Sequence, residues 1–85
     1  MNISFHDKAW EDYCYWQKYD KKIIKRINLL LKDIKRNPFS GKGKPELLKY
    51  SYTGFYSRRI TQEHPLVYTI ENDEIKVAQC RFHYG

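Results

Sequence analysis

The sequence is poor in the residues that mark metal, redox and nucleotide chemistry. It has two cysteines, one methionine, three prolines and four glycines among 85 residues. Cys14 and Cys80 lie far apart, and in a reducing compartment such isolated thiols serve as small buried hydrophobes rather than as a disulfide. His6, His64 and His83 are scattered, and neither C-x-x-C nor H-x-x-x-H spacing occurs, so no metal site is expected. The basic, glycine-bearing stretch Phe39 to Pro45 lacks the G-x-x-x-x-G-K-[ST] spacing of a phosphate-cradling loop, which argues against a nucleotide triphosphate, and no cofactor is expected. No run approaches the roughly 20 apolar residues of a membrane span. Met1 to Asp7 lacks the basic start and apolar run of a secretory signal, so the expected location is the cytoplasm. Internal repeats, linkers and low-complexity tracts are missing as well.

What is present is charge and aromatic surface. Lysine and arginine number 16 against 10 acidic residues, a formal charge of +6, and 16% of the chain is aromatic. A chain of this length is expected to form one domain over residues 1–85, burying about two-thirds of its unfolded surface. The 41% hydrophobic content excludes charge-driven disorder. The excess of cations points to an anionic partner: nucleic acid, an acidic protein or a membrane surface.

Asn2 to Phe5 alternates in the manner of a strand. From Asp7 the period lengthens, with Ala9, Trp10, Tyr13, Cys14 and Trp16 at helical spacing. Lys18 to Asp20 breaks this helix, and Asp20 can cap a second one whose stripe is Ile23, Ile24, Ile27, Leu30, Leu31 and Ile34. Asn37 and Pro38 stop it. Beyond the basic loop, Leu47 to Tyr50, Phe55 to Ile60, Leu66 to Ile70 and Ile75 to Phe82 read as strands, with a turn at Asn72 and Asp73. The order predicts an α+β fold: two N-terminal helices packed on one face of a mostly antiparallel, twisted sheet.

Strand alternation assigns residues to faces. Leu66, Tyr68 and Ile70 are expected in the core. Ala78, Cys80 and Phe82 should face the helices, leaving Gln79, Arg81 and His83 on the uncovered face. Arg58 and Arg59 are consecutive, so one of them must join that face. With Lys42, Lys44 and Lys49 they make a basic concavity, rimmed by Tyr50, Tyr52, Phe55, Tyr56 and Tyr84. Such a surface suits single-stranded nucleic acid, with cations tracking phosphates and rings stacking on bases. A small tyrosine-filled core with solubilising cations explains the same composition.

Cleaving RNA without a metal requires a base for the ribose 2′-OH, an acid for the leaving 5′-oxygen and cations for the phosphate. Glu46, set among Lys42, Lys44 and Lys49, and His83, which titrates near neutrality, form a natural pair. A surface ion pair and an exposed histidine account for the same two residues.

Gly41-Lys-Gly-Lys-Pro-Glu46, Leu48-Lys49, Gly54-Phe-Tyr-Ser-Arg-Arg-Ile60, Leu66-Val-Tyr68 and Cys80-Arg-Phe-His-Tyr84 closely resemble the YoeB family of toxins. So do Trp10-Glu-Asp-Tyr13, Tyr15-Trp-Gln17, Asp20-Lys21 and Lys25-Arg-Ile-Asn28, in order and over essentially the whole chain. The resemblance implies a RelE-like fold similar to microbial ribonucleases, and a metal-independent endoribonuclease that enters the ribosomal A site, cuts mRNA and stops translation. It implies Glu46 as general base, His83 as general acid and Tyr84 as the group that orients the phosphate or a base. Lys49 and Arg59 would bind substrate or stabilise the transition state, with Arg58, Arg81 and Lys44 as further cations. It further implies a YefM-like antitoxin, contact with operator DNA only through the antitoxin complex, and a capacity to form homodimers. One departure stands out. Pro65 replaces the arginine with which better-known members stabilise the transition-state phosphate, so either another cation compensates or the toxin is attenuated to a ribosome-binding or co-repressor subunit.

Overall fold

An apolar helix stripe and alternating strands bury their apolar sides against one another, and this chain does so in two layers. A computed structural model describes residues 1–82. β1 (Asn2–Phe5) leads into α1 (Asp7–Tyr19) and α2 (Lys21–Arg36), followed by β2 (Glu46–Leu47), a 3-10 turn (Tyr50–Tyr52), β3 (Tyr56–Arg59), β4 (Pro65–Glu71) and β5 (Glu74–Gln79).

Asp20 alone separates the helices. Its N–H donates to the Trp16 carbonyl (2.8 Å), closing α1, and its Oδ1 accepts from the N–H groups of Lys22 (3.1 Å) and Ile23 (3.3 Å), opening α2. Such a cap contributes about 1 kcal/mol. At the far end of α2 the Asn37 N–H donates to Asp33, and Pro38 prevents continuation.

The five strands lie in the order β1-β5-β4-β3-β2, antiparallel except for the parallel β1–β5 pair. Asn72 (φ 52°) and Asp73 (φ 58°) make the β4–β5 turn, both in the left-handed region that a two-residue hairpin demands. Ile27, Leu30 and Ile34 of α2 and Ala9 of α1 are fully buried with Leu66, Tyr68, Ile75 and Val77, so both helices cover the same side of the sheet. No helix among the described residues is long and apolar enough to cross a membrane.

Two expectations about strands require correction. The segment expected as a strand over Leu47 to Tyr50 is strand only at Glu46 and Leu47; after one further bond, from the Leu48 N–H to the Phe55 carbonyl (2.9 Å), it coils into the 3-10 turn, where Tyr50 has φ 59°. In β5 the pairing passes from Tyr68↔Val77 to Val67↔Gln79, so Ala78 is an extra residue. The bulge shifts the alternation by one, and the strand ends at Gln79. Cys80 still reaches the core, but Phe82 does not face the helices and Arg81 does not project from the open face.

Candidate active site

β3 sets the geometry. Arg58 is fully buried, whereas its neighbour Arg59 is exposed on the opposite side, which it shares with half-buried Ser57. Register then draws a row across the uncovered face: Glu46 of β2 opposite Ser57 of β3, Ser57 opposite Val67 of β4, and Val67 opposite Gln79 of β5. Arg59 and Pro65 form the pair two residues along. Three inter-strand steps of about 4.8 Å put Glu46 and Gln79 roughly 14 Å apart, so the ends of the row flank a ligand rather than each other.

Over this row opens a cleft of about 460 Å³. Lys44, Glu46 and Arg59 line it, with Ser57, Pro65, Gln79 and Phe82, and the β3–β4 loop adds Thr61, Gln62 and Glu63. That loop is closed locally: the Thr61 hydroxyl accepts from the N–H groups of Glu63 (3.2 Å) and His64 (3.1 Å), and the Ile60 N–H donates to the His64 carbonyl (2.9 Å). The Arg59 main chain is tied on both sides, its N–H donating to Gly43 (2.7 Å) and its carbonyl accepting from Arg26 Nη2 (3.3 Å). Its guanidinium is thereby left to the cleft.

The residues after β5 are held one by one. Cys80 N–H donates to buried Asp12 (3.1 Å), the Cys80 carbonyl accepts from Trp16 Nε1 (2.8 Å), and the thiol lies against the Ala9 carbonyl (3.6 Å). Burial, and secondarily the Asp12 carboxylate, pushes the Cys80 thiol up to about 12. The Arg81 guanidinium lies 3.6 Å from the centre of the Tyr15 ring. The Phe82 N–H donates to His64 Nδ1 (3.0 Å), and the ring lines the cleft.

Of the residues singled out in the sequence, Lys44, Glu46 and Arg59 meet in one cleft, and Pro65 lies in it beside Arg59. Lys49 is exposed but outside the lining, before the 3-10 turn. His83 and Tyr84 lie outside the described residues. Arg58 is corrected from a phosphate ligand to an interior residue: all five of its N–H donors are taken by Tyr68, Asp33 and the carbonyls of Lys42, Asn37 and Ser40. Arg81 is corrected likewise, because it is spent on the aromatic face of α1. The expected tyrosine rim also differs. Tyr56 packs on Phe39 and Tyr68, Tyr50 stands 91% exposed away from the cleft, and Phe82 is the aromatic lining residue among those described. Gln62, Glu63 and the clasp by His64 escaped sequence reading. The Thr61-x-x-His64 spacing, which suits a hydroxyl-capped turn, was the available signal.

Chemically, the cleft offers a carboxylate able to accept a proton, an arginine fork and a lysine for an anion, amides and a hydroxyl for sugar or base edges, and an aromatic face.

The family described as YoeB-like toxin of bacterial type II toxin-antitoxin system matches residues 5–84. The chain is 54% identical to Toxin YoeB of Escherichia coli, covering 99% of this chain and 100% of that protein. Among solved structures it resembles the YoeB/ParE toxin from Agrobacterium tumefaciens (44% identity, TM-score 0.95, 99% of this chain and 100% of the other). It also resembles Staphylococcus aureus YoeB, solved in a heterotetrameric complex with YefM (55% identity, TM-score 0.93, 99% and 98% covered) and as a dimer (55% identity, TM-score 0.92, with the same coverage). YafQ from E. coli, at 17% identity and TM-score 0.79 over 96% of this chain and 92% of its own, shares the RelE-like fold. With 99% of it matched in sequence and in fold, the chain belongs to the YoeB-like toxins of bacterial type II toxin-antitoxin systems.

Proposed function

We propose that this toxin is a ribosome-dependent, metal-independent mRNA endoribonuclease acting in the cytoplasm. The observation that carries the reading is the convergence of Glu46, Arg59 and Lys44 in one cleft on the open face of the sheet. Glu46 takes the proton from the ribose 2′-OH, whose oxygen attacks the phosphorus. The bond to the 5′-oxygen breaks, and His83 supplies the proton to that leaving oxygen, giving a 2′,3′-cyclic phosphate and a 5′-hydroxyl end. Arg59 and Lys44 bind the phosphate as its negative charge concentrates, Lys49 contacts the backbone from outside the cleft, and Tyr84 orients the phosphate or a base. The 70S ribosome supplies the mRNA in its A site.

A YefM-like antitoxin is the proposed partner, since the Staphylococcus aureus relative forms such a complex; operator DNA is contacted only through that complex, and the toxin pairs with itself as that relative does. Pro65 favours a second reading. Because it lies in the cleft opposite Arg59 and brings no charge, the chain could act as a ribosome-binding or co-repressor subunit with attenuated chemistry.

The experiment is cleavage of ribosome-bound mRNA by antitoxin-free toxin in EDTA, with mapping of the ends. The nuclease reading expects 5′-hydroxyl ends, loss of cutting on 2′-deoxy substitution at the scissile nucleotide, and loss of activity in Glu46→Ala and His83→Ala. Growth inhibition that persists in both variants establishes the second reading instead.

A further inference from the structure

Arg58 is the most engaged side chain of the described structure, and the nuclease reading gives it no part. It is fully buried at the edge of an irregular loop, residues 37–45, that has no strand or helix of its own to hold it. Its Nε donates to the Tyr68 hydroxyl (3.1 Å). Nη1 donates to Asp33 Oδ2 (2.6 Å) and the Lys42 carbonyl (3.1 Å), and Nη2 donates to the carbonyls of Ser40 (2.9 Å) and Asn37. The Tyr68 hydroxyl in turn donates to the Pro38 carbonyl (2.8 Å), and the Asp33 oxygen also accepts from the Lys42 N–H (2.9 Å). Carbonyls 37, 38, 40 and 42 therefore converge on one planar cation and its hydroxyl partner. The loop also lies close against the body of the fold at two glycines. A Cβ on Gly43 would come within 2.9 Å of Leu30 Cδ2, and one on Gly41 would collide with Asp33 Oδ2.

The loop so wrapped ends at Lys44 and Glu46, and its Gly43 carbonyl is bonded to the N–H of Arg59. We infer that buried Arg58 and its half-buried partner Asp33 form a positioning device: by gathering the loop around a fixed guanidinium it sets Lys44 and Glu46 in register with Arg59. Arg58 and Arg59 thus divide two tasks between adjacent residues, one organising the loop from inside and one facing the ligand. This inference rests on the nuclease reading for its catalytic consequence, though not for its structural one.

Lysine at position 58 keeps the charge but offers three donors from a single point, so it cannot reproduce the fork. In Arg58→Lys the amides of Lys42 and Arg59 should exchange hydrogen at least tenfold faster, with β4–β5 amides unchanged. Ribosome-dependent kcat should fall at least tenfold, with KM within about twofold. Asp33→Asn, which retains one acceptor, should give a smaller change of the same kind and carries the test if Arg58→Lys does not fold. Ile75→Ala, which opens a core cavity where β5 pairs with Ile3 and Ile70, away from Tyr68 and the loop, serves as the stability control and should lower Tm without changing kcat. Unchanged exchange, unchanged kcat with a loosened loop, or an equal loss of kcat in Ile75→Ala would each overturn the inference. If the wild type cuts no mRNA, the nuclease reading fails separately. Inorganic phosphate then decides the positioning claim: it should shift the Lys44 and Arg59 amide resonances together in wild type but not in Arg58→Lys, and equal shifts in both would refute it.

Discussion

Replacing Pro65 by arginine asks how far the cations of the cleft suffice. Of the side chains that could stand in for a missing charge at this position, Arg58 is consumed inside the fold, Arg81 lies on Tyr15 and Lys49 is outside the lining, which leaves Arg59 and Lys44. The substitution should be structurally mild. Arg59 directs its N–H to Gly43, and Ile60 bonds to His64, so the Arg59↔Pro65 pair is a non-hydrogen-bonded one and the proline breaks no ladder bond. Loss of the proline constraint costs about 0.4–1 kcal/mol, and a second cation facing Arg59 costs roughly 0.2–1 kcal/mol. The sum, about 0.6–2 kcal/mol, corresponds at about 4–8 °C per kcal/mol to a Tm lower by roughly 2–16 °C in a domain of this size. Against this, a cation aimed at the reacting phosphate should raise single-turnover cleavage of ribosome-bound mRNA about 10- to 100-fold, equivalent to about 1.4–2.7 kcal/mol of transition-state stabilisation. Cleavage should also become more sensitive to salt. A folded Pro65→Arg variant that cuts within about twofold of wild type would refute the reasoning and show that Arg59 and Lys44 are enough.

Asp12→Ala should destabilise the protein by about 2 kcal/mol in urea titration, because it strands the buried Cys80 N–H; Asp12→Asn keeps an acceptor and should recover most of the loss, so equal losses would contradict the role given to this bond. Cys14, expected as a buried hydrophobe, is instead exposed, so a thiol reagent at pH 8 should modify it rapidly and buried Cys80 only at the rate of unfolding. Cys80 holds its proton more tightly folded, at about 12, than unfolded, near 9.0, so its contribution is complete below about pH 9 and is lost as pH rises toward 12. Alkaline titration followed by circular dichroism should show that loss, about 4 kcal/mol at most, with Tyr68, raised by burial, acting in the same direction. At the acid end, the Lys42 N–H and then Arg58 hold the Asp33 carboxyl below its usual range. The loop should therefore be protected above about pH 4 and should loosen, by amide exchange at Lys42, as pH falls through the lowered value.

The helices and turns were legible because their signals are local. The isoleucine and leucine stripe, the Asp20 cap, the Asn37-Pro38 stop and the Asn72-Asp73 turn each act within a few residues, and each is where it was expected. The site was legible in part, for a reason of parity. Alternation shows that one of two consecutive arginines faces outward but not which, and the interior role of Arg58 depends on Asp33 and on carbonyls 16 to 21 positions away. The C-terminal segment misled for the same reason in reverse: one extra residue at Ala78 shifts every later side chain, and after Gln79 tertiary bonds to Asp12, Tyr15 and His64 replace strand geometry altogether. A histidine acting through its ring nitrogen on a distant main-chain N–H leaves no pattern in sequence.

The three hydrogen bonds that fix Cys80 to α1 span 64 to 71 positions, and β1 finds its partner only in β5. The far wall of the cleft, Gln79 and Phe82, is therefore built on the first helix and the first strand. Contacts of such separation form late in folding and are supported by little until they close together. A chain interrupted before Cys80, by proteolysis, by a frameshift or by cutting of its own message during translation, lacks that wall and carries no assembled cleft. On the proposed nuclease reading, toxicity should therefore belong to chains that extend past Cys80, and damage to the toxin's own message should yield fragments without the cleft rather than partial toxins.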